Sequence, residues 1–204
     1  MRVILGIGNP GSRYSHNRHN VGFMFLDYIA EKHSLSFVPS KSSYYFAEGK
    51  IGEAGFSLVK PSTYVNNSGI AASEIIDNYG IDLEDLLIVH DDVNLGLAEL
   101  KVKVAGGDGG HNGLSSIIYH LSSNQFPRLR IGVGNDFPKG NMADYVLSDF
   151  DVSEDKELIK TFEKGTVLVE EYVSGGIKRL LDANSKLSSQ KDDENNNENQ
   201  SKVN

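Results

Sequence analysis

Apolar positions along the chain follow two spacings, one typical of helices and one typical of strands. Val21, Phe25 and Ile29 recur on one face of a helix, which predicts an amphipathic helix over 20–32. Short apolar runs that end at glycine or polar residues predict strands, and 86–89 is the most apolar of them. The same reasoning predicts helices over about 70–80, 114–121 and 153–182 (with a candidate break at the glycines 175–176), and strands over 2–7, 44–50, 55–60, 100–104 and 128–133.

Strands that alternate with helices are typical of a sheet that helices cover on both faces. We therefore predict an α/β fold in which residues 1–187 form a single three-layer domain, with a mixed, mostly parallel central sheet flanked by helices. Residues 188–204 contain one apolar residue, Val203. Such a segment cannot bury enough surface to offset the entropy of ordering, so it is predicted to be a disordered polar tail.

Length and composition narrow the class of protein. The chain of 204 residues suffices for one well-buried domain and is short for two. It contains no cysteine, which excludes disulfides, thiolate metal sites and a thiol nucleophile. The first residues lack the pattern of a signal peptide, and no stretch approaches the ~20 apolar residues of a membrane helix. We expect a cytoplasmic protein without a membrane partner.

The formal net charge of −8 argues at first sight against a nucleic-acid partner. The charge is unevenly spread, however, because residues 95–139 carry five basic and three acidic side chains. A local excess of this size is compatible with one short phosphate contact and not with wrapping a long duplex. Ordinary surface charge remains an alternative. The basic residues of this stripe are Lys101, Lys103, Arg128, Arg130 and Lys139.

The first polar signal is Gly-Ile-Gly-Asn-Pro-Gly at 6–11, directly after the first predicted strand. It matches the G-x-G-x-x-G pattern of dinucleotide-binding proteins, in which a helix opens at the glycines and directs its amides at the pyrophosphate. Here residues 12–18 have no apolar periodicity, and the ring of Pro10 restricts the turn. The context therefore disfavours a dinucleotide cofactor, and no cofactor is expected.

Three further signals lie where strands or helices end, which is where open α/β sheets place their ligands. His19 precedes the first helix, and Asp91 follows the most apolar strand. The glycine-rich loop 105–113 allows close backbone approach and offers amides to an anion, but it lacks the Gly-Lys-Ser/Thr ending of a P-loop. A helix cap at His19 and a merely flexible loop are the structural alternatives for these features.

A metal-dependent hydrolase is a second alternative, which would use His19, His90, Asp91 and His111 as ligands. No pair of these histidines shows the H-x-x-x-H spacing of a helical zinc site, so no metal is expected.

Seven motifs follow one another along the chain, and their number and order make a resemblance to a known family specific. They read Gly-Ile-Gly-Asn-Pro-Gly, Arg-His-Asn-Val-Gly, Pro-Ser-Thr-Tyr-Val-Asn-Asn-Ser-Gly, His-Asp-Asp, Gly-Gly-His-Asn-Gly-Leu, Arg-Leu-Arg-Ile-Gly-Val-Gly and Asp-Tyr-Val-Leu. With them, residues 1 to about 185 resemble the bacterial peptidyl-tRNA hydrolase family. The resemblance implies a monomeric, metal-independent α/β enzyme that acts in ribosome rescue. Such an enzyme hydrolyses the ester between a peptide and the 3′ ribose of tRNA.

The resemblance also implies roles for individual residues. His19 matches the catalytic histidine, Asp91 the acid that supports it, and Asn9 the residue that separates N-blocked from free aminoacyl-tRNA. Val65 and Asn67 depart from the family's usual methionine and leucine, which implies a differently shaped peptide groove. The other matches are Tyr14, Tyr64, Asn66 and Asn112 at tRNA- or peptide-contacting positions, and Lys103 and Arg130 at the clamp for the tRNA 5′-phosphate.

The implied chemistry suits these residue types. A neutral imidazole is the natural general base near pH 7, and a carboxylate beside it fixes the tautomer and stabilises the imidazolium as it forms. Uncharged asparagine amides can bind a peptide backbone of any sequence. Ser68 and Ser115 do not lie in a Gly-x-Ser-x-Gly elbow, so we expect direct attack by water. An RNA-binding relative without catalysis remains a further alternative.

Overall fold

The computed structural model describes the backbone of residues 1–201 and the side chains of residues 1–189. The predicted disordered tail, 188–204, lies almost wholly outside the described side chains, and its disorder stays a prediction. Within the described part of the chain, no helix combines the length and apolar character needed to cross a bilayer.

One mixed sheet forms the middle layer. Its described strands are β1 (Arg2–Gly6), β2 (Val38–Pro39), β3 (Tyr44–Ile51), β4 (Ala54–Pro61), β5 (Leu86–Asp92), β6 (Leu100–Lys103) and β7 (Arg128–Gly132). They lie in the order β2-β3-β4-β1-β5-β7-β6. The central pairs β4-β1, β1-β5 and β5-β7 are parallel, whereas β2, β3 and β6 join the sheet by antiparallel pairing.

Helices form the outer two layers, which confirms the predicted three-layer α/β fold. They are α1 (Val21–Lys32), α2 (Ser68–Tyr79), α3 (Asn112–Leu121), α4 (Met142–Val146) and α5 (Asp155–Ser201). Side chains of a strand point alternately to its two faces. In β1, Ile4 packs with α1 and α5, whereas Val3 and Leu5 pack with α2 and α3.

Most predicted elements agree with the structure to within a few residues, but the last helix, predicted over 153–182, is described as α5 through Ser201. α1 begins one residue later than expected because a 3-10 turn, Arg18–Asn20, precedes it. α5 is interrupted at Gly175 and Gly176, where φ of Gly176 is 68°, so the glycine break is confirmed. The strand β2 and the helix α4 were not predicted, because two and five residues are too short to show an apolar period.

Parallel pairing brings the segments that follow β1, β4 and β5 to the same edge of the sheet. The register pairs Leu5 with Val59 of β4 and Gly6 with Val89 of β5, so these strands end side by side. The polar motifs that follow them therefore meet at one place.

Gly22, in the first turn of α1, allows that helix to cross the ends of two strands. A Cβ at this position would lie 2.6 Å from the carbonyl oxygen of Ile7 and 2.7 Å from that of Val89. Both atoms belong to the backbone and cannot rotate away. The close approach of α1, and with it the turn that carries His19, therefore depends on glycine here.

Gly22→Ala has two effects on the free energy of unfolding, and they have opposite signs. Helix propensity alone would stabilise the alanine variant by up to ~1 kcal/mol. We expect the steric clash to outweigh the gain in helix propensity. The free energy of unfolding, measured by urea denaturation, should then fall by about 1–3 kcal/mol. Gly96→Ala is the matched control, because its new Cβ meets only Glu99 Oε2 at 3.7 Å. The control should stay within about 0.5 kcal/mol of the parent; a stabilised Gly22→Ala protein would contradict the packing argument.

Candidate active site

A cleft of about 450 Å³ opens where these strands end. Its walls contain all nine residues that the sequence singled out, although they come from segments up to 121 positions apart in the numbering. They are Asn9, Tyr14, His19, Tyr64, Asn66, Asp91, Lys103, Asn112 and Arg130.

His19 and Asp91 form a hydrogen-bonded pair in this cleft. His19 lies in the 3-10 turn before α1, and its Nδ1 is 2.8 Å from Oδ1 of Asp91 near the end of β5. The carboxylate of Asp91 is 3 % exposed, so it is held almost entirely away from water. An ionised carboxylate only accepts hydrogen bonds, so Nδ1 of His19 donates and a neutral ring keeps its lone pair on Nε2.

A second histidine donates to the same carboxylate oxygen. Nε2 of His111 is 2.9 Å from Oδ1 of Asp91. Its Nδ1 accepts the backbone N–H groups of Gly113 and Leu114, at 3.1 and 3.3 Å, as the N-cap of α3. The rings of His19 and His111 lie 4.9 Å apart. Asp91 thus holds two imidazoles through one oxygen atom.

The pKa values of the pair follow from burial and mutual charge. Burial raises the pKa of Asp91, but the nearby rings of His111 and His19 and their hydrogen bonds outweigh burial and place it far below its usual range. Burial lowers the pKa of His19, whereas the charge and hydrogen bond of Asp91 raise it, and the net effect is a raised pKa. The cleft therefore holds a firmly ionised carboxylate beside an imidazole of increased basicity.

His90 lies behind this pair and is not a proton acceptor of the same kind. Its Nδ1 donates to the backbone carbonyl of Asp91 at 2.6 Å. Burial, reinforced by the ring of His111, lowers the pKa of His90 to about 3, so the ring is neutral at pH 7. Among the described side chains, its Nε2 is one of the few buried polar atoms without a hydrogen-bond partner.

The positions of His19, Asp91 and His111 also bear on the alternative that the cleft is a metal site. Ligand atoms of His19, Asp91 and His111 lie within 4.8 Å of one another, close enough on distance alone for an ion. Yet both imidazoles direct N–H groups at the carboxylate, and Nδ1 of His111 is occupied by the helix cap. A metal ligand must offer a lone pair instead. The arrangement is thus that of a hydrogen-bonded group, and His90 is not among the described side chains whose ligand atoms cluster there.

Asn9 is oriented by neighbours that leave one side of its amide for the cleft. Its Oδ1 accepts the backbone N–H of Val65 at 3.0 Å, which fixes the oxygen because a backbone N–H only donates. The main chain of Asn9 exchanges two hydrogen bonds with the side chain of Asn20. The Nδ2 amino group of Asn9 is therefore the part available as a donor. Asn66, in a 3-10 turn, and Asn112, the first residue of α3, join it in the cleft wall.

The basic residues of the stripe do not all present free cations. Nε and Nη2 of Arg130 both lie 2.6 Å from Oδ2 of Asp92, which leaves Nη1 as the uncommitted end. Arg128 is 1 % exposed and donates to the carbonyls of Gly106 and Gly107, so it holds the glycine loop in place. Lys103, by contrast, is exposed.

Sequence reasoning missed Arg18 as an anchor of the site. Its guanidinium contacts both carboxylate oxygens of Glu154, at 3.1 and 2.8 Å, and donates to the carbonyl of Val133 at 3.1 Å. The rings of Tyr145 and Phe150 lie 4.7 and 4.8 Å from the guanidinium carbon. These contacts fix the turn that carries His19, and no local sequence signal announces partners more than 110 positions away.

Helix α4 was missed for a different reason. Met142, Ala143, Val146 and Leu147 line the same cleft. The only available signal was the Asp-Tyr-Val-Leu motif, which says nothing about which of these side chains would face the site. Together they add an apolar wall to a cleft that Val65, Val93 and Leu114 also line.

Comparisons with known proteins identify the family of the chain. The peptidyl-tRNA hydrolase family model matches residues 3–194. The peptidyl-tRNA hydrolase of Pseudothermotoga lettingae is 40% identical over 181 residues, 89% of this chain and 95% of the relative. That of Thermotoga sp. strain RQ2 is 41% identical over 182 residues, 88% and 94% of the two chains.

A solved structure gives the same answer for the fold. The crystal structure of peptidyl-tRNA hydrolase from Acinetobacter baumannii is similar with a TM-score of 0.83 and 32% identity, over 90% of this chain and 93% of that one. Sequence and structure therefore converge on one family. The chain belongs to the peptidyl-tRNA hydrolase family, and it is a hydrolase.

Proposed function

We propose that the chain hydrolyses the ester between a peptide, or another N-blocked aminoacyl group, and the 3′ ribose of tRNA, with His19 as general base and Asp91 as its support. The observation that carries this assignment is the 2.8 Å contact between His19 Nδ1 and Asp91 Oδ1, which leaves Nε2 of His19 for the cleft. Release of the peptide returns free tRNA to translation.

The reaction needs no covalent intermediate with the protein. Nε2 of His19 takes one proton from water as the water oxygen bonds to the ester carbonyl carbon. Asp91 stabilises the imidazolium that forms, because its charge is buried beside Nδ1. When the carbon–oxygen bond to the ribose breaks, the imidazolium returns the proton to the leaving oxygen. General base catalysis of this kind contributes on the order of 10²–10⁴-fold.

The asparagines supply uncharged donors for the acyl group. The Nδ2 group of Asn9 is directed to the cleft by the Val65 contact, so it can donate to the carbonyl oxygen as negative charge develops there. Asn66 and Asn112 can bind the peptide backbone without regard to side chains. By the family resemblance, Asn9 also discriminates N-blocked from free aminoacyl groups.

The tRNA is expected to approach along the side of the cleft that carries Lys103 and Arg130, which would contact the 5′-phosphate of the acceptor end. Tyr14 and Tyr64, whose rings meet edge to face with centroids 6.3 Å apart, would contact the terminal nucleotide or the peptide. All nine candidate residues come from one chain, so a monomer suffices for activity. A cytoplasmic location fits a tRNA substrate and stays a prediction.

His19→Ala should reduce kcat by at least the ~10²–10⁴-fold that a general base supplies, while tRNA binding stays within a few fold. The reason is that the imidazole acts on water and not on RNA. Single-turnover hydrolysis of peptidyl-tRNA and filter binding measure the two effects. His16→Ala, an exposed histidine outside the cleft, is the matched control. Parent-like rates in the His19→Ala protein would refute the mechanism, and loss of parent activity with a chelator would favour a metal-dependent one.

Asp91→Asn should move the acid limb of the kcat/KM profile to lower pH. In the parent, Asp91 raises the pKa of His19, so activity appears as pH rises through a value above the ~6.5 of a free imidazole. Without the charge, burial of the ring dominates and lowers that pKa. The plateau rate should also fall, on the order of 10²–10⁴-fold, because the amide supports neither the tautomer nor the imidazolium. An acid limb at higher pH would contradict the assignment.

Lys103→Ala and Arg130→Ala should raise KM and leave kcat nearly unchanged. The reason is that a phosphate contact stabilises the bound substrate and the transition state equally. Arg130→Ala should have the larger effect, since it also leaves the Asp92 carboxylate uncompensated. Each variant should reduce the salt dependence of kcat/KM by about one unit of slope. Lys101→Ala is the control: it is on the same strand, paired with Glu99 and outside the cleft. Loss of kcat at unchanged KM would rule out the clamp.

A further inference from the structure

We propose that His111 is a positioning residue: a fixed Nε2–H donor that ties the Asp91 carboxylate to the N-terminus of α3 and limits how strongly Asp91 raises the basicity of His19. The proposal rests on the function proposed above, in which His19 is the base. It assigns His111 no contact with the reacting atoms.

The tautomer of His111 is determined by its neighbours. The backbone N–H groups of Gly113 and Leu114 can only donate, so Nδ1 of His111 carries a lone pair. The proton of a neutral ring must then lie on Nε2, where it faces the acceptor-only oxygen of Asp91 at 2.9 Å. Both hydrogen bonds demand the same tautomer. A proton added to Nδ1 would face two N–H donors and remove the cap of α3.

The ring is also a rigid spacer between two parts of the cleft. Because its two nitrogens have a fixed separation, the position of Asp91 Oδ1 is tied to the first turn of α3. Asn112 is the first residue of that turn and lines the cleft. His111 thus links the group that supports the base to a group expected to hold the peptide.

The second hydrogen bond has an electrostatic consequence for His19. Asp91 shares the charge density of one oxygen between two N–H donors. If His111 ceased to donate, the buried carboxylate would interact more strongly with the remaining ring. That would favour the imidazolium form of His19 and remove active base near neutral pH. The donor at His111 therefore keeps Asp91 a support for His19 without making His19 too basic to remain neutral.

The charged and titratable groups that face the pair from β5 and from the turn before α1 are already committed to partners. His90 faces His111 from β5, with ring centroids 5.0 Å apart, and donates to the backbone of Asp91. Asp92, at the end of β5, is paired with Arg130 of β7. On the side of α1, Arg18 is paired with Glu154 of the segment before α5. His111 is consequently the described group whose loss changes the environment of Asp91 most directly.

The alternative role, a second general base, needs a lone pair on Nε2 of His111. That lone pair would face the carboxylate oxygen at 2.9 Å and repel it. The alternative also requires a proton on Nδ1, where two amides already donate. The hydrogen-bond pattern disfavours it at both nitrogens.

His111→Asn separates the two tasks of the residue. Asparagine is among the best N-cap residues, so the cap of α3 is retained, while its shorter side chain cannot also reach Asp91. We expect the acid limb of kcat/KM to move to higher pH, on the order of one unit, and KM to change less than the rate at pH 7. This shift is opposite to the one expected for Asp91→Asn. His120→Asn, at the far end of α3, is the matched control and should leave the profile unchanged.

The outcomes distinguish the possible roles. A uniform loss of rate with an unmoved acid limb would make His111 only a helix cap and overturn the proposal, as would a limb that moves to lower pH. If His19→Ala keeps parent activity, the proposed function itself fails. If His19→Ala is inactive and His111→Asn leaves the profile unmoved, only the role of His111 fails.

A measurement on the parent protein needs no activity and no stable variant. Nitrogen-15 histidine spectra of the full chain should show the neutral ring of His111 as the Nε2–H tautomer. Its signals are assigned by proximity to the amides of Gly113 and Leu114. A neutral ring found as the Nδ1–H tautomer would overturn the proposal whatever the variants do.

Discussion

The buried charge of Asp91 is the constraint on which the rest of the site depends. Removing a carboxylate from water costs several kcal/mol unless hydrogen bonds and opposite charge compensate it. Here two imidazoles donate to a single oxygen, one from the turn before α1 and one from the start of α3. Satisfying one atom therefore fixes three segments relative to each other. His19, Asp91 and the first turn of α3 thus become one rigid unit.

Alternation of side chains explains how one sheet edge serves both helical layers. In β5, Asp91 reaches His19 beside α1 and His111 at the start of α3, whereas His90 lies behind it with its ring against that of His111. The same division occurs in the turn before α1, where Arg18 packs against Tyr145 while its neighbour faces the cleft. Adjacent residues thus divide anchoring from lining the cleft, because consecutive residues share a face neither in a strand nor in a 3-10 turn.

The net negative charge of the chain is compatible with an RNA substrate because the cleft uses only a few cations, and most of these already have partners. Arg128 is used to hold the glycine loop, and Arg130 shares its guanidinium with Asp92. Lys103 remains the exposed cation of the group. A field of this kind is local and falls off within about one Debye length, ~8–10 Å at physiological salt. It suits recognition of one phosphate rather than adhesion along an RNA duplex.

The sequence by itself determined the α/β class, the order of nearly all strands and helices, and nine of the side chains that line the cleft. Apolar periodicity is a local property, and the polar motifs follow strands whose carboxyl ends must meet in a parallel sheet. Only the tertiary structure decided which side chains share a hydrogen bond. The pairing of Arg18 with Glu154 spans 136 positions, and the joint hold of His19 and His111 on Asp91 spans 72 and 20. Contacts between distant segments leave no periodic pattern in the sequence. From the sequence alone, His111 could therefore be a loop residue or a metal ligand. The fold decided between these roles because it places the two ring nitrogens between the start of a helix and a buried charge.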